Sequence, residues 1–455
     1  ICIVNEIYSD ISSFLSFYRF CVPFPCENER PGSMMVSPSK MFAWGANTHG
    51  QLGTGDTTDR FEPEYIQDAN VSVVTGGGSH SVYTDGTYFR LGFKYASFPG
   101  IDVYTCGSNS AGQVGRENSP LHFQKIDMES KYPVASVICG WDFTFVLQSD
   151  GCLLAFGSNA HNQLLSNKIR RISKPIRASL PTVRCVAAGL RHVIAISASN
   201  EVLLWGSNHR GQLGSTASKT IKDGPPVCLK LDKSHGCPVA CSAGAYHSVI
   251  LTDAGFVFII GELKYFGEDG NVSIGTISGD IPAYMFTPDS FDGRPIVQTA
   301  SGWSSVFALT DTGVLFTWGR ADLGQLGRPH LSDCHSGSPR NPEFDPFPGH
   351  VSFGDDDGSV TRIVDIKAGA EHSLAVDSDG NLWTWGWNEH GMCGIPKNTI
   401  SENDSLDHSG GTKHCSCVVQ PSRVNLLPLS TCQGLRPAKT RLIGAGYGHS
   451  FAYVV

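Results

Sequence analysis

Apolar runs of five or six residues, each cut off by glycine, set the rhythm of this chain from Met41 onward. One phrase recurs: an apolar strand ends at Trp-Gly and leads into Asn-x-x-Gly-Gln-Leu-Gly. It reads "MFAWGANTHGQLG" from Met41, "LLWGSNHRGQLG" from Leu203, "VLFTWGRADLGQLG" from Val314 and "LWTWGWNEHGMCG" from Leu382. "VYTCGSNSAGQVG" from Val103 follows the same pattern, and "LLAFGSNAHNQL" from Leu153 and "VFIIGELKYFG" from Val257 are worn copies. The seven strand portions end at Gly45, Gly107, Gly157, Gly206, Gly261, Gly319 and Gly386. Neighbouring copies lie roughly 50 to 65 residues apart, near the period of propeller blades.

A second phrase keeps step upstream of the first. A Gly-x-x-His-Ser-like start, an apolar run and a turn appear as "GGSHSVYTDG" from Gly77, "GWDFTFVLQSDG" from Gly140 and "GLRHVIAISASN" from Gly189. They continue as "GAYHSVILTDAG" from Gly244, "GWSSVFALTDTG" from Gly302, "GAEHSLAVDSDG" from Gly369 and "GYGHSFAYVV" from Gly446. Strand, Asp/Gly turn and strand together read as a β-hairpin. The phase decides the architecture. The repeats open on an unpaired second strand at residues 41–45 and close on an unpaired first strand at 449–455. Pairing those two completes a seventh hairpin and removes the exposed edges of an open array. The expected fold is all-β, a seven-bladed β-propeller over residues 34–455, its ring closed by the N- and C-terminal strands.

Four segments stand outside the repeat. Residues 1–33 carry no repeat phrase; the chain starts at Ile1, and the folded protein is expected to begin near Met34, Met35 or Met41. That segment lacks the basic start and apolar core of a cleaved leader. Residues 87–101, "TYFRLGFKYASFPGI", are inserted at the tip of the blade-two hairpin, where insertion costs least. They read as a partner-binding finger or as an unspliced piece of the gene, and the cost of exposing an apolar tip favours the second reading. Residues 329–357 and 396–437 are rich in turn-formers and are expected to be long surface loops. The latter holds His408, His414, Cys415, Cys417 and Cys432. These lack paired Cys-x-x-Cys spacing, so a metal site is not expected there.

Composition narrows the partners. The formal charge of −8 argues against a nucleic-acid surface. No apolar run is long enough to span a membrane. The fifteen cysteines are scattered, as expected of reduced thiols. No serine-nucleophile elbow, phosphate-cradling loop or His-Glu-x-x-His motif is present, so neither covalent catalysis nor a cofactor is expected.

The paired phrases resemble the repeat of the regulator of chromosome condensation family from Met41 to Val455. "CGWDFT" at Cys139, "AGLRH" at Ala188 and "FTWGRADLGQLGR" at Phe316 are similar to a cytosolic and nuclear branch concerned with secretion. The resemblance implies a guanine nucleotide exchange factor-like regulator of a small GTPase, Ran-like or other, with exocyst-type secretory machinery as a further partner. Residues 1–40 hold only Arg19, Arg30 and Lys40 as basic residues, so the DNA-binding tail of the chromatin-bound members is not expected here. The chain is expected to act as a monomer. The alternative is a non-catalytic protein–protein interaction scaffold. A tryptophan-based ultraviolet photoreceptor of the same fold needs a tight tryptophan cluster, and Trp141 and Trp303 lie three blades apart.

Within the repeat, Trp44, Trp205, Trp318 and Trp385 are expected to wedge between blades. Asn47, Asn109, Asn159, Asn208 and Asn388 sit where asparagine tolerates left-handed turns. His80, His192, His247, His372 and His449 belong to different blades, so hydrogen bonding to a neighbouring blade is expected rather than metal ligation. The residues before each His-Ser phrase vary, and variation on a regular scaffold is where recognition can be written. Asp142, Arg191, Tyr246, Trp303, Glu371 and Tyr447 are the candidate partner-binding residues, with Trp303 as an aromatic hot spot.

Overall fold

The second strand of most blades, the first of each repeat hairpin, is buried at every position, in His192–Ser197, His247–Thr252, Ser305–Thr310 and His372–Asp377 alike. A strand facing solvent on one side would alternate; these do not, because each sheet is packed on both faces by its neighbours. The computed structural model describes residues 39–454 except 92–93, 131, 167–168, 215–224, 263, 267–272, 278–280, 329–342, 355–360, 397–416 and 427–438. Side chains at 87–99 and 273–277 are also outside the description.

Seven antiparallel sheets make the expected β-propeller. Blade 1 is built from both ends of the chain, with Lys40–Gly45 between His449–Val454 and Arg60–Asp68, and Thr440–Ala445 innermost. The closing pair runs in unbroken register from Lys40↔Val454 to Gly45↔His449. Blades 2 to 7 begin with the inner strands Val71–Gly76, Val134–Cys139, Val183–Ala188, Pro238–Ala243, Ile296–Ser301 and Ile363–Ala368. Neighbouring inner strands touch all the way round and enclose a central channel.

The two connectors expected as surface loops each supply an outer strand, Phe344–His350 in blade 6 and Cys417–Arg423 in blade 7. These strands lie outside the repeat phrase, which spans only the two middle strands of each blade and the turns beside them. Of the histidine and cysteine cluster, Cys417 is buried on its strand, and the other four lie outside the described residues. The backbone ladder of blade 2 continues through the insertion as far as Leu91↔Lys94. Blade 5 carries a fifth strand, Ser273–Ile277.

The repeat residues are the joints between blades. Trp44 Nε1 donates to the Met392 carbonyl of blade 7 at 2.9 Å, and Trp205 and Trp385 reach the Gln163 and Gln325 carbonyls at 2.7 and 3.0 Å. Four histidines hydrogen-bond the next blade: His80 to Thr144, His192 to Ser248, His372 to Ser450 and His449 to Ser81, at 2.7–3.1 Å. Each of those hydroxyls donates onward to the carbonyl of a turn in the histidine's own blade, Gln113, Gln212, Met392 and Gln51 respectively. Burial holds all five imidazoles neutral, at about 3 for His80, His247 and His449 and about 4 for His192 and His372. The Gly-x-x-His glycine is the seat of the ring: a Cβ on Gly77 would lie 2.2 Å from the His80 imidazole.

In blade 3 both the histidine and its partner are replaced. Phe143 stands in blade 3, and the hydroxyl position of blade 4 is Val193. In blade 6 the hydroxyl position is Val306, and His247 packs its ring on Phe266 at 5.0 Å.

The asparagines do a different job from the one expected. None of the five has a positive φ. Instead the Asn47, Asn159, Asn208 and Asn388 side-chain oxygens accept the N–H five residues on, at 2.8–2.9 Å, while the flanking glycines take the left-handed backbone.

Candidate protein-binding site at the channel mouth

Each inner strand turns into the second strand through a Gly-x-x loop, and the seven loops crowd around one mouth of the channel. The first x position is nearest the axis. Backbone hydrogen bonds join these loops across blades: Gly78 N–H to Trp141 O, Ala245 to Trp303, Trp303 to Ala370, Ala370 to Tyr447, and Tyr447 to Gly77, at 2.8–3.1 Å.

Three of the seven axial positions are aromatic, and they meet. Ring centroids of Trp141 and Trp303 are 6.1 Å apart, Trp141 and Tyr447 5.4 Å, and Trp303 and Tyr447 5.9 Å. The separation expected of Trp141 and Trp303 is therefore overturned. Three blades apart in the chain, they face each other across a narrow mouth. Trp141 lies over the Gly78 loop, where a Cβ would come 2.8 Å from its ring. It is 38% exposed, the largest apolar side chain open to solvent among the described residues. Trp303 and Tyr447 are half-buried, and burial pushes the Tyr447 phenol well above its usual range.

Charged groups ring this centre. Asp142 is half-buried; burial raises its carboxyl pKa, against a Ser158 hydrogen bond and the Arg191 charge. Arg191 is exposed. On the strand-exit turns of the same blades, the His161 and His209 rings lie 6.3 Å apart, and His161 is held below its ordinary value by burial and by Arg191. The Arg210 guanidinium sits 5.8 Å from the Tyr246 ring centroid and 3.5 Å from Glu262.

Glu371 differs from the others. Its side chain is 3% exposed, with one oxygen 3.1 Å from Arg320 and the other 2.9 Å from Gln325 Nε2. Burial raises its pKa to about 7 in spite of Arg320, which opposes the shift. Arg320 also pairs with Asp322 at 2.7 Å.

All six residues singled out from the sequence thus stand on one rim. Trp303 and Tyr447 touch, Asp142 and Arg191 sense each other, and Tyr246 carries Arg210, while Glu371 is tied inward to blade 6. Trp141 was missed. Its signal was its slot, the same first position after the glycine that Trp303 and Tyr447 occupy. An exposed indole backed by two further rings and bordered by both charge signs suits protein recognition.

A family model described as the RCC1-like domain matches residues 100–452, and the regulator of chromosome condensation (RCC1) repeat matches residues 39–83. The chain belongs to the RCC1-like family. This RCC1-like chain is 34% identical over 440 residues to the secretion-regulating guanine nucleotide exchange factor of Mus musculus, covering 90% of the chain and 83% of that protein. It is 25% identical over 405 residues to the ultraviolet-B receptor UVR8 of Arabidopsis thaliana, covering 85% and 83%. Among solved structures, Prp20p of Saccharomyces cerevisiae superposes with a TM-score of 0.72 at 20% identity, covering 97% of this chain and 94% of that one. Human WBSCR16 gives 0.66 at 18%, covering 91% and 98%. Both share the RCC1-like propeller fold.

Proposed function

We propose that this chain is a guanine nucleotide exchange factor-like regulator of a small GTPase, gripped at the channel mouth. The observation that carries the reading is the cluster of Trp141, Trp303 and Tyr447, bordered by Asp142, Arg191, Tyr246 and Glu371, on a chain 34% identical to a secretion-regulating guanine nucleotide exchange factor. Exchange requires no bond-making. A surface that binds the empty GTPase more tightly than the loaded one weakens nucleotide binding by the same factor. A rigid ring supplies such a surface without rearranging itself. A Ran-like GTPase is the first candidate, because the Prp20p structure is described with its binding to Gsp1p. A role in secretion with exocyst-type machinery, in cytosol or nucleus and as a monomer, belongs to the same reading.

Release of fluorescent GDP from a panel of small GTPases tests it. Acceleration by the full chain, reduced about tenfold or more by Trp141→Ala or Trp303→Ala, is the expected result. Tight binding of the empty GTPase without faster release would make the protein an interaction scaffold. Absence of binding to every GTPase in the panel would overturn the reading.

One observation favours a second reading. Trp141 and Trp303 at 6.1 Å supply the tryptophan cluster that an ultraviolet photoreceptor requires. Ultraviolet-B irradiation followed by size-exclusion chromatography decides it; unchanged elution removes this reading.

A further inference from the structure

Blades 4 and 5 meet through two thiols. The Sγ atoms of Cys185, on Val183–Ala188, and Cys241, on Pro238–Ala243, are 3.4 Å apart. Both side chains are half-buried on inner strands of the ring. The contact follows from the way inner strands stack. Cys185 lies four residues before its loop glycine, Gly189, and Cys241 lies three before Gly244, a stagger of one. The next seam has the same stagger: Ser242, two before Gly244, meets Ser301, one before Gly302, with hydroxyls 2.7 Å apart. The thiol pair therefore occupies a position that the architecture itself brings together.

This seam is also short of backbone joints. Among the described residues, no loop hydrogen bond of the kind linking Ala245 to Trp303 joins Leu190 to Trp141 or to Ala245. Next to the pair, the Arg184 guanidinium reaches across the seam to the Pro238 carbonyl and also holds Asn200.

We propose that Cys185 and Cys241 form an oxidisable dithiol, which hydrogen peroxide converts into a disulfide that staples blade 4 to blade 5. Cys185 is the attacking sulfur. The hydrogen bond from Cys241 and the Arg184 charge favour its thiolate, whereas Cys241 is pushed up as the proton-holding partner. The Cys185 thiolate attacks one peroxide oxygen, the O–O bond breaks, and hydroxide leaves and takes up a proton as water. The resulting sulfenic acid is then attacked by Cys241, whose proton goes to the departing hydroxyl. An S–S bond forms and a second water leaves. Two thiols and one peroxide thus give one disulfide and two waters.

The staple lies behind the loops that carry Arg191 and Tyr246, the residues following each cysteine strand. Oxidation would fix the spacing of those two loops. This inference stands on the inner strands and does not depend on the exchange-factor reading.

The test treats the full chain with a few equivalents of hydrogen peroxide, blocks free thiols with iodoacetamide and digests without reduction. The expected product is a peptide joining Cys185 to Cys241 that dithiothreitol dissolves, with a melting temperature several degrees higher in the oxidised chain. Cys185→Ser and Cys241→Ser should each cut the linked peptide more than tenfold. Because a variant can fail to fold, the untreated native chain is also reacted with dibromobimane, which fluoresces on bridging two neighbouring thiols. Bridging of Cys185 and Cys241 supports the proposal. Peroxide products confined to single cysteines, or links through the exposed Cys228 and Cys237 alone, would overturn it.

Discussion

His449 and Ser81 are 368 residues apart in sequence and 2.7 Å apart in the ring, imidazole nitrogen to hydroxyl. The contact joins the blade made from both chain ends to the blade that follows it. Ser81 in turn donates to the Gln51 carbonyl at 2.6 Å, so three segments share one buried relay. His449→Ala leaves a cavity and removes the ring from the Ser81 hydroxyl, which keeps only its bond to Gln51, and should cost about 2–4 kcal/mol in urea unfolding. A double-mutant cycle with Ser81→Ala should give a coupling of about 1 kcal/mol. Zero coupling would deny the relay any energetic role.

Acid should weaken the fold through the five buried histidines. Their folded pKa values are lowered from 6.5 to about 3 or 4, so the unfolded chain takes up protons first as pH falls. Their stabilising contribution is full above pH 6.5 and is lost progressively between 6.5 and the folded values. Each titrating ring contributes up to about 1.4 kcal/mol per pH unit. His372→Asn keeps a hydrogen-bonding side chain without the titration. It should flatten the dependence of unfolding free energy on pH by about that amount, and an unchanged slope would count against the burial argument.

Blade 6 invites a repair. Ser305 occupies the histidine position, and its hydroxyl and that of Ser373 in blade 7 have no hydrogen-bond partner among the described residues. Gly302, the seat for a ring, is still present. Ser305→His should restore the relay and raise stability by about 1 kcal/mol, measured by thermal or urea unfolding. A loss of stability would show that this seam has closed over the vacant place.

The rim residues should separate into two kinds. Glu371 is buried against Arg320 and Gln325, so Arg320→Ala should destabilise by about 3 kcal/mol and leave Glu371 protonated at neutral pH. Trp141 and Arg191 are exposed; Arg191→Ala should change unfolding by less than about 0.5 kcal/mol, and Trp141→Ala, which gives up its ring contacts with Trp303 and Tyr447, by about 1 kcal/mol. Partner affinity should fall for those two without loss of folded protein, which paired binding and melting measurements would read.

The repeat phrase made the ring, its seven blades and its closure legible, because Trp44, Trp205 and Trp385 must recur wherever one blade docks on the last. The histidines were legible for the same reason. Trp141 was not, since its contact with Trp303 depends on the width of the mouth, and no local period records a distance across a circle. The outer strands Phe344–His350 and Cys417–Arg423 were hidden because they lie within connectors rich in turn-formers, outside the phrase that marks the middle strands of each blade. The Cys185–Cys241 contact needed the stagger of neighbouring inner strands, which spacing along the chain does not show. The turn asparagines were recognised as turn residues but given the wrong task, since residue type alone does not say whether backbone or side chain does the work.

Blade 1 gives synthesis itself a part in folding. The strand Lys40–Gly45 is made roughly four hundred residues before its partner and must wait, with a bare edge, until His449–Val454 follows it out. Six blades can assemble on the nascent chain, but the seventh exists only once His449–Val454 has been made. For that interval the newborn protein is an open spiral with unpaired strands at both ends, and a chaperone that shields Lys40–Gly45 would meet its need.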